Sequence, residues 1–144
     1  MNKIIIGSDH AGFQLKEKIK QYLKDLNYDV EDIGADSEES VDYPLIGKKA
    51  AKKVAETKTK GILICGSGLG MAIAANKVKG VRAALAYDEY TAKVAREHNN
   101  ANILTLGGRT SSAKDYKKIV KTFLTTQFSK EARHQRRVRE LDGL

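Results

Sequence analysis

The chain has 144 residues, of which 41% are hydrophobic and 31% charged, and its formal net charge is +8. That length suits a single domain with a sizeable core, and no apolar run is long enough to cross a membrane. The opening MNKIIIG lacks the length and cleavage site of a signal peptide. The single cysteine excludes an internal disulfide and a cysteine-rich zinc site, and it predicts a reducing, cytoplasmic setting.

Short apolar runs alternate with longer amphipathic ones. Lys3 to Ile6 predicts a buried strand that Gly7 ends. Leu15, Ile19, Tyr22, Leu23 and Leu26 recur at helical spacing, so residues 12–26 predict a helix. Tyr28 to Ile33 predicts a second strand. Pro44 opens a helix that runs to about Thr57. Gly61 to Cys65 predicts a third strand, followed by a helix through Ile73 and Ala74. Val81 to Ala86 predicts a fourth strand, and Asp88 is placed to cap a helix ending near Asn99 and Asn100. Ile103 to Leu106 predicts a fifth strand. Ser112 and Asp115 have the spacing of a capping box for a helix through Ile119, Phe123 and Leu124. A basic helix is expected from Ser129 to about Leu141.

Five βα units with no linker or repeat predict a single domain over residues 1–144. Continuously apolar strands joined by helices predict a parallel sheet covered on both faces. The expected architecture is a Rossmann-like, doubly wound α/β/α sandwich of five strands with one extra C-terminal helix.

The basic excess has three candidate explanations: a nucleic-acid partner, a small anionic substrate, or solubility. Lys16, Lys18, Lys20, Lys48, Lys49, Lys52 and Lys53 lie on amphipathic segments and read as solvated helix faces. Aromatic residues are only 6% with no Trp, and no RNA-binding aromatic motif occurs. This argues against nucleic acid.

In such sheets ligands bind beyond the carboxyl ends of the strands, where the strand order reverses. Ser8, Asp9 and His10 follow the first strand, CGSGLG the third, Tyr87 and Asp88 the fourth, and Arg109 the fifth. A flavodoxin-like order would let the loops after strands one and three flank the crevice and bring Asp9, His10, Cys65 and Ser67 together.

The glycine loop is not a dinucleotide fingerprint, because the third glycine would fall at Met71, and it lacks the Gly-Lys-Ser/Thr ending of a P-loop. Gly66, Gly68 and Gly70 are more glycine than one tight turn needs, so the N–H groups of residues 66 to 70 are expected to face a ligand oxygen. Cys65 precedes a helix N-terminus, where backbone N–H groups and the helix dipole favour a thiolate.

Blander roles stay open for each of these residues. Asp9 can simply cap a helix, His10 can be a surface residue, and Cys65 can be a small buried hydrophobe. Arg133 and Arg137, four apart, share a helix face suited to a phosphate or form a solvated tail. His98 and Asn99 end a helix that should finish at the amino edge of the sheet. His98 is therefore either a C-cap residue or part of a second subunit's site.

Taken together, SDHAG, DYP at 42–44, ICGSGLG with AANK, HNNANIL, LGGR and RHQRR occur in the same order as in type B ribose-5-phosphate isomerases. The resemblance extends over essentially the whole chain. The wider family includes allose-6-phosphate isomerases and galactose-6-phosphate isomerase subunits. The resemblance implies a pentose-phosphate-pathway enzyme that interconverts D-ribose 5-phosphate and D-ribulose 5-phosphate through a cis-enediolate, without metal or other cofactor.

By that resemblance Cys65 is the base between C1 and C2, and Gly66, Ser67, Gly68, Leu69 and Gly70 hold the enediolate oxygens, with Ser67 assisting proton movement. His98 of a partner subunit opens the furanose ring opposite Asp9. Tyr43 and Asn99 contact hydroxyls, and His10, Arg109, Arg133 and Arg137 grip the phosphate. Relatives lacking the cysteine use a carboxylate a few residues on, where this chain has Leu69, Gly70 and Met71. The resemblance further implies a homodimer or tetramer with shared sites, and neither nucleic acid nor membrane as partner. The alternatives are an isomerase of a six-carbon sugar phosphate and a non-catalytic nucleotide or nucleic-acid binding module.

Overall fold

Runs that are apolar at every position, rather than at alternate ones, belong in strands covered on both faces. Ile4 to Ile6 and Ile62 to Ile64 are such runs, and all six residues are buried. The structure, a computed structural model, describes residues 2–144. Among them are five strands: β1 (Lys3–Ser8), β2 (Asp29–Asp32), β3 (Lys60–Cys65), β4 (Ala83–Leu85) and β5 (Ile103–Gly107). The α-helices are α1 (Phe13–Asp25), α2 (Tyr43–Thr57), α3 (Leu69–Asn76), α4 (Glu89–Glu97), α5 (Tyr116–Thr125) and α6 (Ala132–Asp142). No helix among the described residues is long and apolar enough to cross a membrane.

All strand pairs are parallel, in the order β2-β1-β3-β5-β4. The expected sandwich forms, and the order reverses between β1 and β3 as the flavodoxin-like arrangement requires. The far edge departs from that arrangement, because β5 lies inside β4. Side chains alternate between the two layers. Ile4 and Ile6 pack under α1, α4 and α5 with Leu15, Ala92 and Phe123. Ile5 and Leu63 pack under α2 and α3 with Ala51, Val54 and Met71.

Three boundaries differ from expectation for local reasons. β4 is shorter than Val81 to Ala86, because side-chain amides replace its ladder: Asn102 Oδ1 accepts from Arg82 N at 2.8 Å, and Asn76 both accepts from and donates to Ala83. The capping box of Ser112 and Asp115 does not form. Ser112 lies in a one-turn 3-10 helix (Ser111–Ala113), its hydroxyl 2.7 Å from that of Thr110, and Asp115 makes no side-chain cap. α6 starts at Ala132, because Ser129 Oγ instead turns the chain by accepting from Glu131 N at 3.0 Å.

The largest correction is Lys16. It is not solvated; its side chain is fully buried. Its ammonium donates to both Asp32 carboxylate oxygens, at 2.9 and 2.7 Å, and to the Ala35 carbonyl at 2.6 Å. Half-buried Lys20 reaches the same carboxylate at 2.8 Å. Three donors thus use the full capacity of an ammonium group, which is the condition for burying one. The network ties α1 to the end of β2. Burial opposes ionisation of Asp32, but hydrogen bonds from Lys16, Lys20 and Gly34 N outweigh it and hold the carboxyl below its ordinary range.

Candidate active site

Three loops meet at the carboxyl edge beside the β1/β3 reversal, and main-chain hydrogen bonds lock them together. Asp9 N donates to Ile64 O at 3.2 Å, Gly108 N to Cys65 O at 2.8 Å, and Arg109 N to Gly66 O at 3.0 Å. The loops also touch closely. A Cβ on Gly12 would lie 2.6 Å from Ile64 O, and one on Gly108 would lie 2.6 Å from Ala11 O.

Cys65 ends β3 and is 4% exposed. Its Sγ accepts a hydrogen bond from Gly68 N at 3.1 Å, an interaction that strengthens when the acceptor is charged. Gly68 sits at φ +82, and a Cβ there would also strike Leu85 Cδ1 at 2.5 Å. Only glycine turns this strand end into α3. The loop is less open than five free N–H groups: Gly68 N serves the sulfur and Leu69 N donates to Ser67 Oγ at 3.2 Å. Gly66, Ser67 and Gly70 N–H have no partner among the described residues.

Tyr43, at the start of α2, covers this loop. A Cβ on Gly70 would lie 2.5 Å from Tyr43 Cε1 and Cζ. Gly70→Ala is therefore expected to push the Tyr43 ring off the loop. The melting temperature should barely move, because Tyr43 is 37% exposed and free to swing. Catalytic efficiency should fall about 10- to 100-fold, the usual cost of misplacing a group by about 1 Å. A steady-state assay with a thermal melt checks both.

Asp9 lies at the crevice and turns the chain into α1 without capping the helix itself. It is buried, and its carboxylate accepts from Gly12 N at 3.0 Å ahead of α1. His10 Nδ1 accepts from Val41 N at 3.2 Å, which fixes the tautomer with the proton on Nε2. His10, Gln14, Glu38 and exposed Arg109 line a cavity of about 310 Å³. Gln14 donates to Glu38 at 2.6 Å across its mouth. Arg109 crosses Gly66, with Cδ 3.8 Å from where a Cβ would stand. Exposed Tyr87 faces solvent, and Asp88 caps α4 by accepting from Thr91 N at 2.7 Å.

His98, Asn99, Arg133 and Arg137 do not join this cluster within one chain. His98 is the C-cap of α4, at the amino edge, and Asn99 lines a cavity of about 500 Å³ there with Arg82 and Leu141. Arg133 and Arg137 lie on α6, which packs its buried His134 on His98. Arg133 is exposed and pairs with Glu131 at 2.8 Å. Within one chain the four residues expected at the phosphate form two separate groups, His10 with Arg109 at the carboxyl edge and Arg133 with Arg137 on α6 beside His98. Reading RHQRR for its arginines missed His134; its period, one residue after Arg133 and four before buried Val138, was the available signal. Gln14, Glu38 and Val41 were also missed, since a loop-to-loop contact leaves no periodic trace.

A family model described as Ribose/Galactose Isomerase matches residues 4–141. The chain belongs to that family. Ribose-5-phosphate isomerase B of Mycolicibacterium paratuberculosis is 46% identical over 138 residues, covering 94% of this chain and 87% of that protein. The solved ribose 5-phosphate isomerase of Thermotoga maritima superposes with a TM-score of 0.94 at 52% identity, covering 99% of this chain and 98% of the other. The Mycoplasma genitalium ribose-5-phosphate isomerase B, solved with bound ribulose-5-phosphate, gives 0.92 at 43% identity, covering 98% and 94%. Membership in the Ribose/Galactose Isomerase family does not favour the nucleotide or nucleic-acid binding alternative.

Proposed function

We infer that this chain is an intramolecular oxidoreductase that interconverts D-ribose 5-phosphate and D-ribulose 5-phosphate through a cis-enediolate. The observation that carries the reading is Cys65: a lone thiol at a strand end, bonded by Gly68 N–H, in a loop that the Arg109 side chain crosses at Gly66. Relatives named for this activity, one solved with ribulose-5-phosphate bound, point the same way.

In the proposed mechanism the Cys65 thiolate removes the proton from C2 of the open-chain aldose and returns it to C1. The positive ends of the Gly66, Ser67 and Gly70 N–H dipoles face the O1 and O2 charge that develops, and they need no reorganisation. Ser67 Oγ passes the hydroxyl proton between those oxygens. Leu69 shields the loop, and Tyr43 orients the sugar. His10 Nε2–H and Arg109 bind the phosphate, so binding energy at the far end positions C1 and C2.

The other half of the site comes, in this reading, from a second copy of the chain. His98 of that copy opens the furanose ring with Asp9 opposite, Asn99 contacts a hydroxyl, and Arg133 and Arg137 complete the phosphate grip. Two features support it: these groups lie at the amino edge, and Leu45, Leu69 and Ile73 expose an apolar surface next to the loop. A homodimer is the smallest assembly that completes two sites.

The experiment is a coupled assay of purified protein with ribose 5-phosphate and allose 6-phosphate, with and without iodoacetamide. The expected result is ribose 5-phosphate turnover, abolished by alkylation and protected by substrate. Preference for the six-carbon sugar would keep the mechanism and change the substrate; no turnover of either would overturn the reading. For the shared site, inactive Cys65→Ala and His98→Asn chains are mixed, unfolded and refolded together. About a quarter of wild-type activity should return, because statistical pairing leaves half the dimers with one intact site of two. Zero recovery would overturn the shared site.

A further inference from the structure

His98 has no side-chain hydrogen bond among the described residues, although a ring-opening acid–base group must hold one nitrogen on line with a sugar oxygen. What fixes its plane is a second imidazole. The rings of His98 and His134 stack with centroids 4.3 Å apart and planes 8° from parallel. His134 projects from α6 and is 6% exposed, so its own ring is held by packing. Burial pushes the His134 imidazole below its ordinary range, and His98, Arg133 and Arg137 push the same way against the opposing charge of Glu131. The His134 ring therefore lies buried beneath that of His98, in a setting that disfavours its charged form.

We propose that His134 is a positioning residue, holding the His98 imidazole by face-to-face stacking in the plane from which it opens the sugar ring. This rests on the role proposed above for His98. The stack also explains why one helix carries three site groups. α6 bears His134 between Arg133 and Arg137, so a single rigid element sets both the phosphate grip and the ring-opening group.

The test compares His134→Phe with His134→Leu. Both side chains are apolar and fit a buried site, but only phenylalanine offers a flat face. The phenylalanine variant should keep kcat within about threefold of wild type, and the leucine variant should lose about tenfold or more, with KM within about twofold in both. Thermal melts establish that both variants fold; if leucine unfolds the chain, His134→Gln, which also lacks a ring, replaces it. Wild-type kcat in the leucine variant, or equal losses in two folded variants, would overturn the proposal.

A readout independent of turnover is the proton spectrum, which is simple because the chain has three histidines. The His98 ring protons should be shifted upfield in wild type and in the phenylalanine variant, and should return to ordinary positions in the leucine variant. No such shift in wild type would also overturn the proposal. If wild type turns over no sugar phosphate yet shows the shift, the stack stands and the functional reading fails, taking the positioning role of His134 with it.

Discussion

Cys65→Ala is expected to lower ribose 5-phosphate turnover about 10³-fold, within the range that a positioned general base contributes. The fold should survive. The change deletes one sulfur from a small buried side chain, and the main-chain bonds of Cys65 and Gly66 to Gly108 and Arg109 do not use that sulfur. The melting temperature should stay within a few degrees, since about 1 kcal/mol moves a chain of this length by roughly that much. The cysteine loop itself offers no substitute base. The positions where some relatives carry a carboxylate are Leu69, Gly70 and Met71, and Met71 is fully buried in the layer between α2, α3 and the sheet. Steady-state kinetics with a thermal melt checks both halves. Turnover within tenfold of wild type would remove Cys65 from the role of base.

Lys16→Met should be the most destabilising change of a charged residue. It keeps the aliphatic stem but removes the donor to Asp32 and to Ala35 O. Breaking a buried pair from one side typically costs about 3–5 kcal/mol. The Asp32 side chain is 23% exposed and keeps its bonds from Lys20 and Gly34 N, so about 3 kcal/mol is expected, a fall of roughly 10 °C in melting temperature.

The pH dependence has a definite sign. The Asp32 carboxyl is held below its ordinary range in the folded chain. Its contribution is therefore fully present above the unfolded-state value, near pH 4, and is lost as pH falls through the lower folded-state value. Urea unfolding of wild type and Lys16→Met should show the full gap at pH 7, narrowing below about pH 4 as Asp32 protonates in both. A gap independent of pH would mean that Lys16 acts through packing alone.

Much of the site could be read before the fold was known, and the failures have physical causes. The apolar strands, Pro44 at the head of α2 and glycine after Cys65 are local signals, so the cysteine loop and its edge were legible. So was the amino-edge position of His98, which follows from the direction of any helix after a parallel strand. Lys16 was misread because its partner is sixteen residues away, and a lysine on an amphipathic helix looks the same whether its ammonium meets water or Asp32. The β5-β4 order was illegible because nothing in a strand's own sequence names its neighbour. The failed capping box of Ser112 shows the same limit: correct spacing does not prevent the hydroxyl from turning to Thr110 instead.

The three loops at the carboxyl edge are joined through Asp9 N, Gly108 N and Arg109 N to the carbonyls of Ile64, Cys65 and Gly66. Every one of those groups belongs to the peptide unit, which all residues share. The framework of the crevice thus constrains its glycines, where a Cβ would strike a neighbouring loop, but makes no use of the side chains displayed between them. A lineage could replace the proposed base, hydroxyl reader or phosphate ligand one at a time and inherit an unchanged backbone frame, which is the condition for drifting between sugar phosphates of different length without passing through an unfolded ancestor.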